Sequence, residues 1–362
     1  MAVQPADPVR AGDVLARDVR TPGGNVLLPE GHVLTERDVD MLRHFLIRQV
    51  EVRCAYRPDE VHAVAGPRGP DAAVVLKTVP MGTPAREPLQ LACARLGKVL
   101  AACWDAVRQG GKLPLNELRT ELDNVTGQMT TDRYHPLSFV PSEPKDPLLN
   151  RSIRVAMTAR WLVQWTDIPR NEWFQVTLGA LLCDIGLAKP DSSLSRKQPP
   201  LAPEEWDEWR RHPVHGFRTL IGLPSLNRGV ALAALQHHER NDGSGYPLGL
   251  RSANLHPYAK IVAVADAFHA LLETRSGESP LSALETLRES AFGRLEPAFV
   301  HAFVEKLTTY QRGILVRLSD GTIGEIVFAD PRHPARPMVS VNGRIVHLAR
   351  QRELDIVEVF SF

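Results

Sequence analysis

The stretch QHHERNDGSGYPLGL, residues 236–250, sets two adjacent histidines and a glutamate directly ahead of a glycine-rich loop. His237 continues the apolar stripe Leu226, Val230 and Ala233 of the segment before it, which is helical in period. His238 follows at the point where NDGSG must end that helix. Gly243 and Gly245 permit left-handed backbone, and Asp242 suits an Asx turn. Tyr246, preceding Pro247, is biased toward extended backbone that can turn its ring toward a ligand. Two readings stand on these residues alone: a metal-binding corner, or a tight turn with a packed tyrosine and a core histidine.

Further groups of the same chemistry lie outward along the chain. Asp184 ends the apolar run TLGALLCD, and Asp266 sits inside IVAVADAF. A carboxylate among such neighbours is costly to bury without a partner or a cation, unless a helix end or solvent takes it. His212 and His215 lie in RRHPVHG. Imidazoles and carboxylates on neighbouring helices of a bundle are the usual ingredients of di-metal carboxylate centres.

The pattern around these residues is helical. LQLACARLGKVLAACWDAV, SIRVAMTARWLVQW, NEWFQVTLGALLCDIGL, PEEWDEWRRH, SLNRGVALAALQHH and AKIVAVADAFHALLET each carry apolar stripes at helical spacing. Ahead of them, DVLARDV and VLLPEG alternate like short strands. LTERDVDMLRHFLI then reads as a helix opened by a Thr35/Asp38 capping box. Behind them, ILVRLSDGTIGEIVFADP and PMVSVNGRIVHL return to alternation with SDG and NG turns. The expected class is mainly α: a helical bundle flanked by a small N-terminal α+β module and a β-rich C-terminal tail. The expected units are an N-terminal module over 1–56, a Pro/Gly/Ala-rich linker over 57–88, the helical domain over 89–310 and the tail over 311–362.

Composition narrows the function. With 362 residues there is length for two or three units. Lys plus Arg (43) nearly balance Asp plus Glu (42), which argues against binding a nucleic-acid duplex through bulk charge. Cys54, Cys93, Cys103 and Cys183 form no CxxC pair, as expected in a reducing cytoplasm. No apolar run approaches the ~20 residues of a membrane span.

Taken together, HHERNDGSGYP, CDIG, HPVHG and IVAVADAFHA resemble the HD-GYP family of HD-domain metal phosphohydrolases, which cleave the second messenger cyclic di-GMP. The first reproduces the family's HHExxDGxGYP signature in full. The others stand in the family's order, and the resemblance covers roughly residues 90–310. It implies an HD-type bundle holding two or three ions, often iron or manganese. A metal-bridging hydroxide there attacks the phosphodiester. Carried over position by position, it implies Asp184 as the bridging ligand, His212, His237 and His238 as histidine ligands, and Asp266 as the last carboxylate. Gly243, Gly245 and Tyr246 of the loop, with Arg275 as a phosphate contact, complete the implied ligand-binding set.

The departures cluster on one side of that site. Arg151 stands where the family has a ligating histidine, and Pro147 where some members add a glutamate. Cys183 replaces the histidine of the HD pair; it is either a thiolate ligand or a small buried apolar side chain. Leu187 replaces a phosphate-binding lysine, and Glu278 replaces a basic residue. A guanidinium cannot ligate a metal and repels a nearby cation. The expectation is one empty metal position, with Arg151 substituting its charge by pairing with Asp184 or Asp266, or else pointing to solvent. The expected cofactor is therefore one divalent ion (Fe or Mn) or none. The expected function is a degenerate HD-GYP module that binds a cyclic dinucleotide or a protein partner at the GYP loop. The alternative is an active phosphodiesterase with a residual or Cys183-completed site.

Overall fold

The computed structural model describes residues 8–20, 26–44, 47, 49–53, 74–78, 87–129, 137, 141, 144–188, 202–274 and 279–360. In chain order it runs β1 (Val14–Leu15), β2 (Val19–Arg20), β3 (Val26–Leu28), α1 (Glu36–His44), β4 (Gln49–Arg53) and β5 (Val74–Thr78). There follow α2 (Glu87–Gln109), α3 (Leu115–Gln128), α4 (Pro147–Val163), α5 (Trp173–Leu181), α6 (Pro203–Trp209) and α7 (His212–Ile221). Next come α8 (Arg228–Gln236), α9 (Pro257–Thr274), α10 (Pro280–Ser290) and α11 (Pro297–Thr309). The chain closes on β6 (Leu315–Leu318), β7 (Ile323–Phe328), β8 (Met338–Val341), β9 (Arg344–His347) and β10 (Ile356–Val359).

The N-terminal module is a small α+β unit. Its helix α1 starts as the capping pattern requires: Thr35 Oγ1 accepts from the Asp38 amide at 3.2 Å, and Asp38 Oδ2 accepts from the Thr35 amide at 2.7 Å. Leu15, Leu28, Leu34, Leu42, Val50 and Val52 form its core. One expectation is corrected here. The stretch expected as a linker carries β5, whose run VVLKT pairs antiparallel with β4 and completes the sheet β1–β4–β5. Three β-branched or leucine residues in succession were outweighed in the sequence by the surrounding prolines and glycines. The rest of 57–86 lies outside the described residues, as does Cys54.

The bundle is built on α4, α5, α8 and α9, which pack on one another, with α7 against α8. Helix α4 begins at Pro147, whose fixed φ and missing amide suit the first helical position. Asp146 caps it, accepting from the amides of Leu148 and Leu149. Ile153, Val155, Ala156, Ala159, Leu162 and Val163 of α4 enter the core together with Val176, Leu178 and Ala180 of α5 and Ile261, Val262, Val264 and Ala265 of α9. The six segments expected to be helical carry α2, α4, α5, α6, α8 and α9, with ends that differ from the sequence runs by several residues.

The tail forms a five-stranded antiparallel sheet, ordered β10–β6–β7–β8–β9 among the described residues. Its β8–β9 hairpin turns on Asn342 (φ 50) and Gly343 (φ 77), the paired left-handed residues expected of an NG turn. Leu315 of β6 packs against the core of the N-terminal module. No helix among the described residues is long and apolar enough to cross a membrane.

Candidate metal centre

Four side chains from three places in the bundle converge on one point. Asp184 lies in the turn after α5, His212 opens α7, and His237 and His238 follow α8. One ligand atom from each falls within 4.8 Å of all the others. Asp184, His212 and His237 are 5%, 2% and 0% exposed, so this is no surface cluster of polar groups. The glycine of CDIG makes the approach possible. A Cβ on Gly186 would fall inside van der Waals contact of the His212 carbonyl oxygen, so only glycine lets this turn lie against the start of α7.

The donor set fits a metal ion. His212 donates from Nδ1 to the Trp209 carbonyl at 2.6 Å, and His237 from Nδ1 to the Ala234 carbonyl at 2.9 Å. A carbonyl only accepts, so both rings carry the Nδ1 proton and, when neutral, present bare Nε2 lone pairs. Those nitrogens lie 3.2 and 3.4 Å from Asp184 Oδ1 and 3.3 Å from each other. An ion with bonds of about 2.1 Å puts its ligand atoms ~3.0 Å apart in an octahedron and ~3.4 Å in a tetrahedron. Three acceptors at such spacing repel one another unless a proton or a cation sits among them. The electrostatics agree. Burial works to raise the Asp184 carboxyl, yet hydrogen bonds from His212 and His237 outweigh it and hold the group well below the usual carboxylate range. Burial likewise works to lower His237, but Asp184 outweighs it and raises the ring. Burial, followed by the neighbouring His237 and His212, pushes His238 well down and keeps it neutral, the form a metal takes.

Asp266, implied as a further ligand, is not in the converging set. Its Oδ1 accepts from Arg151 Nη2 at 2.6 Å, and its Oδ2 lies 3.6 Å from His238 Nδ1. Arg151 crosses from α4 to α9, also reaching Glu273 at 2.5 Å and the Asp266 carbonyl at 3.3 Å. Burial opposes its charge, but Asp266, Glu273 and Asp184 outweigh it and keep the guanidinium protonated. Cys183 is fully buried and also outside the set. Burial above all, with Asp184 and Asp266 beside it, pushes its thiol well up and away from the thiolate a metal needs. Leu187 is buried in the apolar core. Arg275 and Glu278 lie outside the described residues.

The loop folds back over the cluster. Gly243 has φ +83, and Asp242 Oδ1 accepts from the Ser244 amide at 2.9 Å. The Tyr246 ring stacks on His238 with centroids 4.7 Å apart and planes 26° apart. The Arg210 guanidinium lies over the Tyr246 ring, 5.6 Å from its centroid. The glutamate of HHE stands outside the converging set. Glu239 is 1% exposed and accepts from the amides of Leu248 (2.7 Å) and Leu250 (3.0 Å). Sequence reading assigned no role to Glu239 or Arg210; both roles depend on how the loop returns, and no local pattern records that.

Residues 142–298 match the family model described as HD domain. That match contains the Asp184, His212, His237 and His238 cluster and the loop with the full HHERNDGSGYP motif. The chain belongs to the HD-GYP family. The HD-GYP chain is similar to the cyclic di-GMP phosphodiesterase PA4108 of Pseudomonas aeruginosa, with 29% identity over 351 residues, 90% of this chain and 83% of that one. It is 41% identical over 126 residues to the cyclic di-GMP phosphodiesterase response regulator RpfG of Xanthomonas campestris, about a third of each chain. A cyclic di-GMP phosphodiesterase of Thermotoga maritima is 38% identical over 136 residues, 36% of this chain and 37% of that one. Among solved structures, Bd1817, described as a HDG"Y"P protein, from Bdellovibrio bacteriovorus aligns over 60% of this chain and 69% of its own, with 23% identity and a TM-score of 0.41.

Proposed function

We propose that this HD-GYP chain acts in cyclic di-GMP signalling as a binding, regulatory module whose phosphodiesterase activity is lost or much reduced. The observation that carries the reading is the Arg151–Asp266 ion pair. Two-metal hydrolysis clamps the attacking and leaving oxygens between ions. Here a guanidinium holds one of the implied carboxylates and sets its positive charge near Asp184, where it repels a second cation. Asp184, His212, His237 and His238 remain to hold one divalent ion, Fe or Mn, which when bound supplies Lewis acidity and fixes the site's shape. The ligand is a cyclic dinucleotide, with the loop around Tyr246 as a docking surface for a protein partner.

A second reading, a phosphodiesterase working with one ion, is favoured by the completeness of that four-residue set. Incubating the full chain with cyclic di-GMP and Mn²⁺ or Fe²⁺ under anaerobic conditions separates the two. Binding seen by calorimetry with no linear product by chromatography supports the regulatory module. Accumulating linear dinucleotide supports the one-ion enzyme.

A further inference from the structure

The three histidines of the cluster are not oriented alike. His212 and His237 are each fixed through Nδ1 by the backbone carbonyl three residues earlier, at 2.6 and 2.9 Å. His238 has Asp266 Oδ2 at 3.6 Å from Nδ1, longer than a hydrogen bond. What lies flat on its ring is Tyr246, at 4.7 Å. The direction of this ligand therefore depends on a loop.

That loop is fastened at its base, along its returning leg and, between them, by the Tyr246 amide, which donates to the His238 carbonyl at 3.3 Å. Its base is closed by Asn241, whose amide donates to the Arg294 carbonyl at 2.8 Å and whose carbonyl accepts from Ser252 at 3.1 Å. Its returning leg, which carries Tyr246, is held by the buried Glu239 carboxylate through the amides of Leu248 and Leu250. Amide bonds to a buried carboxylate are the strong, charge-assisted kind. Gly245 lets the leg press on the chain below, because a Cβ there would overlap the backbone of Glu239 and Arg240.

We infer that Glu239 is a positioning residue: by clamping the 246–250 leg it holds Tyr246 on His238 and so sets the fourth ligand of the metal centre. This rests on the reading that the cluster holds an ion. By reciprocity, whatever displaces the leg weakens metal binding by the factor with which metal steadies the leg.

The test titrates Co²⁺ into the full-length protein and two variants, and measures amide exchange at Leu248 and Leu250. Glu239→Gln must turn an NH₂ group toward a backbone amide, so exchange at one or both positions quickens. Co²⁺ affinity falls about 10- to 100-fold, as for other groups that orient ligands, and the visible spectrum of bound Co²⁺ changes. Tyr246→Leu keeps both amides protected yet loses Co²⁺ affinity to a similar degree, and it decides the matter alone should the first variant not fold. Loosened amides with wild-type Co²⁺ affinity in Glu239→Gln overturn the inference, as does wild-type affinity in Tyr246→Leu. A wild-type chain that takes up no Co²⁺ overturns the one-ion reading instead. The clamp is then decided without metal, supported if the His238 ring resonances move in Glu239→Gln and rejected if they stay.

Discussion

Arg151 Nη2 and Asp266 Oδ1 lie 2.6 Å apart, joining α4 to α9 with side chains 14% and 5% exposed. The pair neutralises a carboxylate that burial alone would not tolerate, and it does so with a group that cannot ligate. Replacing Arg151 with methionine keeps the stem and removes the charge. The expected cost is about 3 kcal/mol, because an unpaired carboxylate is left in the interior. Mn²⁺ should restore part of that loss, since a cation that binds the folded chain stabilises it. Thermal unfolding with and without Mn²⁺ checks both halves.

Asp184 Oδ1 lies 3.2 Å from His212 Nε2 and 3.4 Å from His237 Nε2, the anionic member of the proposed ligand set. In Asp184→Asn the side chain keeps its volume but loses its charge. Uptake of Mn²⁺ or Fe²⁺ should drop to background, with the helical circular dichroism unchanged. Elemental analysis of the purified variant reads this directly.

The pH behaviour should have opposite signs in the metal-free and metal-loaded chains. Without metal, His237 is raised above its ordinary value of about 6.5, so its contribution to stability is complete below that pH and is lost as pH rises through the folded value. Asp184 is depressed, so its contribution is present above about pH 4 and is lost as pH falls through the folded value. Metal binding needs neutral imidazoles and so strengthens with rising pH. His238, held well below its ordinary value, works the other way and gains stability as pH rises through about 6.5. Melting curves from pH 5 to 9 in chelator should therefore fall only above about pH 7, where the His238 contribution is complete, while Mn²⁺ affinity over the same range should rise.

Gly245→Ala places a methyl group against the backbone of Glu239 and Arg240, which cannot move aside as a side-chain end can. The expected destabilisation is about 1–3 kcal/mol, the range for overpacking, with weakened Mn²⁺ binding as Tyr246 leaves His238. Chemical denaturation and metal titration of the variant measure the two effects separately.

Much of this was legible in the chain itself. Helical period marked α4, α5, α8 and α9, and the anomaly of carboxylates in apolar runs marked Asp184 and Asp266, because periodicity and burial cost are local properties. The NG pair announced the β8–β9 turn, and Thr35 with Asp38 announced α1. Strand β5 stayed hidden because its partner β4 stands twenty residues or more away, past a run of prolines and glycines. Glu239 stayed hidden for a related reason: in sequence a glutamate beside two histidines looks like a ligand, and only the return of the loop shows its oxygens on Leu248 and Leu250. The pairing of Asp266 with Arg151 likewise follows from which side of α9 faces Arg151.

The central claim is that a guanidinium stands in for a second ion. Metal stoichiometry by elemental analysis, after expression in iron- and manganese-supplemented medium, tests it most directly when wild type is compared with Arg151→His. The account predicts no more than one ion per wild-type chain and a higher count once the ligating side chain is supplied. Two ions per wild-type chain would contradict it.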